Sequence, residues 1–206
     1  MEIIPESYPA FRWEIYSEEH RVLLTSHAFF LEETWWVFDP ISIPKNALES
    51  WIAKQFGSDL LKANWNILLT NGNHERSVAD WEKDRGPCMI HVTAGSELEL
   101  SAQDIWDPKR ETADLGPWKR IRLEGGAPGE TAYYLEKSKA VVVGDALVNL
   151  PDRGFEILPD KYCENPALLR ASLGKLTALD LEKLWTAHGK SINTGAGVAL
   201  SRLLSL

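Results

Sequence analysis

Positive charge is scarce in this chain: 22 Lys and Arg stand against 30 Asp and Glu in 206 residues, a formal net charge of -8 with a pI near 5.2. Nucleic acids are held without sequence preference by Lys and Arg that displace counterions, and anionic membranes attract basic patches. Neither a nucleic-acid nor a membrane partner is therefore expected. Cysteine is scarce too. Cys88 and Cys163 have no second Cys or His at zinc-finger spacing, so both read as small buried hydrophobes and no disulfide framework is implied. No run approaches the roughly 18 apolar residues of a membrane span. The opening MEIIPESYPAFRWEIY has no basic stretch followed by an apolar one, so the expected location is the cytoplasm.

Several nucleotide and nucleophile motifs are also missing. Gly189-Lys190-Ser191 resembles the end of a phosphate loop, but Leu184 stands where that loop needs its first glycine. Gly189 to Asn193 lacks the last glycine of a nucleophile elbow, Ser96 lies in A-G-S-E-L, and no G-x-G-x-x-G follows a strand. There is no internal repeat or low-complexity segment.

What is present is the composition of an ordinary soluble globule, 44% apolar and 25% charged. At roughly 100–200 residues per domain the chain reads as one domain over 1–206. FRWEIY, HRVLLTSHAFFL and TWWVFDP, rich in aromatic and β-branched residues, predict a strand meander. Pro44 and Gly57 bound a helical pattern carrying Leu48, Trp51 and Ile52. WNILLT and CMIHVT predict strands buried on both faces, with a helix over 74–85 between them. Residues 96–117 read as a charged surface stretch. KRIRLEG, then a hairpin turning at EKSK, then FEIL predict further strands. Helices are expected at 165–174 and 177–184, a strand WTA ends at His188, and a last helix closes the chain.

The order of these segments, with F-D-P at Phe38 to Pro40, L-L-T before a loop, P-G-E before the hairpin, V-G-D-A-L, and a late A-H-G, resembles the metallo-β-lactamase fold, the superfamily of glyoxalase II and lactonases. The resemblance covers the chain from about residue 8 to its end. It implies an α/β fold, a four-layer αββα sandwich of two mixed sheets flanked by helices. It also implies a site in which H-x-H-x-D-H, a turn His, a bridging Asp and a late His hold two zinc ions, whose hydroxide attacks substrate. In this sequence the loop reads Asn71-Gly72-Asn73-His74-Glu75-Arg76, and the turn His falls on Gly126. Only Asp145 and His188 match the ligand type, with Glu75 as a longer carboxylate.

Zinc prefers imidazole and thiolate, and neutral amides compete poorly, so no bound metal is expected. The oxygen-rich set Asn71, Asn73, Glu75 and Asp145 suits a hard cation such as Mg2+ or Ca2+ better than zinc, and the alternative to a metal-free site is one Mg2+, Mn2+ or other divalent ion held by Glu75, Asp145 and His188. Arg76 is expected to neutralise Asp145 and Glu75 by an internal salt bridge, against the alternative of an exposed helix residue. Asn71 and Asn73 fit ligand binding or plain turn and capping chemistry equally. His74 falls where the family is variable and reads as helix surface or a hydrogen-bonding group. Asp39 is either a plain turn residue or one that shapes the site floor by bonding loop backbone. His20, His27 and His91 default to structural roles. One of Trp35 and Trp36 must face the opposite side of its strand and pack under a helix.

Three functions remain open. The first is a metal-free pseudoenzyme that binds a small anionic ligand through Asn71, Asn73, His74, Glu75, Arg76 and Gly126. The second is an active hydrolase of a small ester, thioester or lactone, with His188 and Asp145 catalytic and one divalent ion or a His/Asp pair. The third is an interaction protein with a vestigial cleft.

Overall fold

Strand side chains alternate between faces, so neighbouring Trp35 and Trp36 must enter different layers. In the computed structural model they do. Trp35 packs with the residues of two helices, whereas Trp36 lies between two sheets. The structure describes residues 2–5, 9–86, 88–96, 98–99, 101–109 and 112–205.

The first sheet has seven strands in chain order: β1 (Glu2–Pro5), β2 (Ala10–Ser17), β3 (Val22–Leu31), β4 (Thr34–Phe38), β5 (Asn64–Leu68), β6 (Met89–Thr93) and β7 (Asp104–Trp106). It is antiparallel up to β4 and parallel from β4 onward. The parallel pairs β4–β5 and β5–β6 follow from the helices that return the chain across the sheet: α1 (Lys45–Phe56) and α2 (Val78–Arg85). β8 (Asp114–Leu115), β9 (Trp118–Arg122), β10 (Thr131–Leu135), β11 (Ala140–Val143) and β14 (Lys183–Thr186) form a second sheet in the order β14-β11-β10-β9-β8, its only parallel pair being β11 with β14. β12 (Leu147–Leu150) and β13 (Gly154–Ile157) form a separate hairpin. α3 (Pro166–Thr177) and α4 (Ala196–Leu204) complete the regular elements.

Three apolar clusters fix the layers. Phe11, Trp13, Trp35, Ile67 and Ile90 of the first sheet meet Leu48 and Ile52 of α1 and Val78 and Trp81 of α2. Tyr134, Val141, Val143 and Leu184 of the second sheet meet Leu169, Leu173 and Leu176 of α3 and Leu200 of α4. Between the sheets, Phe29, Trp36, Phe38 and Leu68 face Trp118, Tyr133, Val142 and Trp185. Each such fully buried apolar side chain contributes roughly 1.5–3 kcal/mol of transfer free energy. The indole N–H groups of Trp13 and Trp81 both donate to the Ile41 carbonyl, at 3.2 Å each, so these large rings enter the core without stranding a polar atom. The result is an α/β sandwich of two mixed sheets with helices on both outer faces.

Three expectations change. No helix spans 177–184: α3 runs on to Thr177, and the next residues are pinned by α4, with Ala196 N donating to Glu182 O and Gly197 N to Leu181 O. Residues 74–85 are not one helix, because Arg76 has φ +40° and α2 begins only at Val78. The charged stretch 96–117 contributes β7 and β8, while its Arg110 and Glu111, like residue 8 where the family likeness was expected to start, lie outside the described residues. Among the described residues no helix is long and apolar enough to cross a membrane.

Candidate functional site

The C-terminal ends of β4, β5, β11 and β14 open onto one edge of the sandwich, the end at which α/β sheets hold ligands. Each delivers a polar side chain. Asp39 follows β4 in a left-handed conformation, φ +47°. Its Oδ1 accepts the Thr70 N–H at 2.8 Å, and its Oδ2 accepts the Thr70 hydroxyl at 2.6 Å. It therefore organises the backbone of the loop after β5, one of the two roles anticipated for it.

That loop makes a single tight turn, Gly72–His74, capped by Asn71, whose Oδ1 accepts the Asn73 N–H at 2.9 Å. The turn aims His74 inward, leaving it 3% exposed. Its Nδ1 stands 2.9 Å from Asp39 Oδ2 and its Nε2 stands 3.0 Å from Asp145 Oδ1. Asp145 follows β11, and His188 follows β14. His188 Nε2 lies 2.9 Å from Asp145 Oδ1 and 3.2 Å from His74 Nε2. Three donor atoms, one each from His74, Asp145 and His188, thus form a triangle capable of holding one metal ion.

Arg76 does not pair with Asp145 or Glu75, contrary to what residue type and position suggested. Its guanidinium donates to the carbonyls of Asp39 at 3.1 Å and Thr25 at 3.5 Å, and its Nη2 lies 3.4 Å from His188 Nε2. The cation in contact with Asp39 and Asp145 is His74. Glu75 accepts the Glu99 N–H at 2.9 Å, and Asn73 is exposed, so neither joins the triangle. Gly126 faces α3: a Cβ there would lie 3.4 Å from Leu169 Cδ1. The residue of that turn whose side chain reaches the site is Glu130, fully buried, whose Oε2 accepts Asn71 Nδ2 at 2.9 Å and whose Oε1 accepts the Ala146 N–H at 3.1 Å. Sequence reasoning passed over it, although the P-G-E signal contains it.

Burial and the neighbouring Arg76 both oppose a charge on His74, yet the carboxylates of Asp39 and Asp145 outweigh them and raise it to about 9. Burial also opposes ionised Asp39 and Asp145, and the His74 imidazolium overrides it, holding Asp39 below its ordinary value and Asp145 well below. Burial lowers His188, with Asp145 only partly offsetting it. Burial, then the nearby Asp145, push Glu130 up to about 8. At neutral pH two carboxylates accordingly face an imidazolium and a guanidinium, with His188 uncharged.

Two layered mixed sheets with helices outside, and polar side chains gathered at the strand ends, define a metallo-β-lactamase fold. Solved structures similar to this chain include a metallo-β-lactamase from Pontibacter korlensis (TM-score 0.73, 16% identity, covering 100% of this chain and 97% of that one). Others are FIM-1 from Pseudomonas aeruginosa in its mono-zinc form (0.71, 12%, 99% and 94%) and TTHA1623 in a di-iron-bound form (0.66, 18%, 93% and 98%). At such identities the likeness is one of fold. No protein-family model and no curated protein matches the chain.

Proposed function

We propose that this hydrolase-like fold carries a dismantled dinuclear metal site and acts as a metal-free pseudoenzyme that binds a small anionic ligand. The observation that carries this reading is His74, bonded through both ring nitrogens to carboxylates, with Arg76 beside it. Both nitrogens face acceptors, so the ring is doubly protonated there and offers no lone pair to a metal. The two positive charges already balance Asp39 and Asp145, and a dication brought between them would have to displace the His74 proton and approach a guanidinium 3.4 Å from His188 Nε2. The donor set therefore does not suit two zinc ions.

Arg76 supplies the anion preference. Its planar guanidinium matches carboxylate and phosphate geometry, and its neighbour His188 is neutral. The test combines elemental analysis of the purified protein with thermal-shift screening against small carboxylates and phosphates. Less than one transition metal per chain, with anion stabilisation lost in Arg76→Gln, is the expected result. Two tightly held metals per chain would overturn it.

One observation favours a second reading, an active hydrolase with a single ion. The triangle of His74, Asp145 and His188 has edges of 2.9, 3.0 and 3.2 Å, not far below the roughly 3.3 Å between ligands about 2.0–2.2 Å from one tetrahedral ion. Such an ion would supply activated water, and His74 would replace Glu75 in the ligand set. Ester, thioester or lactone turnover that rises with Mn2+ or Mg2+ and disappears in His188→Ala distinguishes this reading from the first.

A further inference from the structure

Asp145 and His74 are presented by segments far apart in sequence, one after β11 and one after β5, and each is tethered from behind. The tether is a single side chain. Glu130 Oε1 accepts the N–H of Ala146, the residue next to Asp145, and its Oε2 accepts Nδ2 of Asn71, the cap of the turn that carries His74. The other amide atom of Asn71 is committed to Asn73 N, so the amide cannot turn over without losing the cap. The clasp has no slack. A Cβ on Gly144 would lie 2.3 Å from Thr70 Oγ1, 2.9 Å from Asn71 Nδ2 and 2.9 Å from Glu130 Oε1. The backbone around it is fixed as well: Thr131 N donates to Thr70 O at 2.7 Å and Gly72 N to Pro128 O at 2.8 Å, joining the P-G-E turn directly to the loop after β5.

We propose that Glu130 is the positioning residue of this cleft, a carboxyl group that clasps the Asp145 turn to the His74 loop and so sets the His74–Asp145 contact from behind. For its role in ligand binding the proposal rests on the metal-free reading above; the clasp itself does not. A carboxyl is the group that can serve here, because both partners are donors pointing at one side chain. Glutamine at 130 would keep one acceptor and turn an N–H2 group against Asn71 Nδ2. Reversing the polarity of the pair restores the match, since in Asn71→Asp/Glu130→Gln the glutamine amide donates to the aspartate, whose second oxygen still accepts Asn73 N.

The test reads the His74 ring protons by 1H–15N NMR in the intact chain, comparing wild type, Glu130→Gln and the reversed pair. In wild type both His74 N–H signals, toward Asp39 and toward Asp145, are expected downfield and slow to exchange. Glu130→Gln is expected to lose the Nε2–H signal toward Asp145 while keeping the Nδ1–H signal toward Asp39, and the reversed pair to recover it. A residue that merely stabilised the fold would lower the melting temperature and move both signals or neither. An Nε2–H signal unchanged in Glu130→Gln, or one that stays lost in a folded reversed pair, would overturn the clasp. Failure of the metal-free reading shows separately, as metal in the wild-type protein.

Discussion

Two histidines of this protein lie among carboxylates, one in the turn after β5 and one on β6, and they end with opposite charge preferences. His74 touches two acids, Asp39 and Asp145, and is raised to about 9 despite complete burial. His91, on β6, touches one. Its Nδ1 lies 2.8 Å from Asp104 Oδ2 and its Nε2 3.0 Å from Asn66 Oδ1, but Asp104 is already held at 3.0 Å by Arg120, whose guanidinium lies over the Trp106 ring. Burial lowers His91, and Asp104 does not fully offset it. Burial is similar in the two places. The number of carboxylates not already neutralised by another cation decides the outcome.

The comparison breaks most sharply if each ring is removed. His74→Ala leaves Asp39 buried with one cation fewer and is expected to cost about 3–5 kcal/mol, the range for stripping one partner from a buried pair. His91→Ala leaves Arg120 on Asp104 and should cost about 1–3 kcal/mol, the penalty of lost packing and one unpaired polar group. Urea denaturation of both variants measures the gap, and equal losses would sink the distinction.

Titration sharpens it next. His74 is raised from 6.5 to about 9, so its stabilisation is complete below about 6.5 and is lost as pH rises through about 9. Glu130, raised from 4.5 to about 8 by burial and Asp145, acts in the same sense, because the unfolded chain ionises it more readily than the fold does. Asp39 and Asp145 are lowered, so their contribution is present above 3.8 and lost in acid. Unfolding free energy is therefore expected to peak in mildly acidic solution and to fall between pH 5 and 9, by on the order of 3 kcal/mol from His74 alone and further from Glu130. In Glu130→Gln the lower part of that fall should flatten. His91, lowered from 6.5, acts in the opposite sense, its contribution gained as pH rises toward 6.5.

The smallest expected effect concerns backbone strain at the site. Arg76 holds φ +40°, a region where a side chain costs about 1 kcal/mol relative to glycine. Arg76→Gly should therefore be more stable than Arg76→Ala by about that amount, while both lose the anion response expected of wild type. An Arg76→Gly no more stable than Arg76→Ala would show that the strain is relieved elsewhere.

Much of the fold was readable from local pattern. Alternating aromatics announced the meander, Pro44 and Gly57 bounded α1, and unbroken apolar runs marked β5 and β6 as strands covered on both faces. The lost helix at 177–184 failed for a tertiary reason. Leu181 and Leu184 stand three apart, a helical spacing, but Lys139 O accepts both Glu182 N and Lys183 N, drawing the chain into register beside β11, while α4 holds residues 181 and 182 from the other side. β7 and β8, three and two residues long, carry too few side chains for a period to show.

At the site, Asp145 and His188 were singled out by residue type and motif order, and they meet at 2.9 Å. His74 and Glu130 were undervalued because ligand spacing ignores what a tight turn does to direction. The turn Gly72–His74 brings the fourth residue of the loop inward, and the left-handed Arg76 sends the next part of the chain outward toward α2.

By itself the sequence determined the layers: periodicity and apolar content dictate which faces must leave water, and removing apolar surface from water is what chiefly drives folding. Only the tertiary structure decided which groups share a proton, because a hydrogen bond depends on direction and a few tenths of an ångström. Those are set by strand ends that lie 35 to 114 residues apart in the chain and are neighbours only once both sheets have formed.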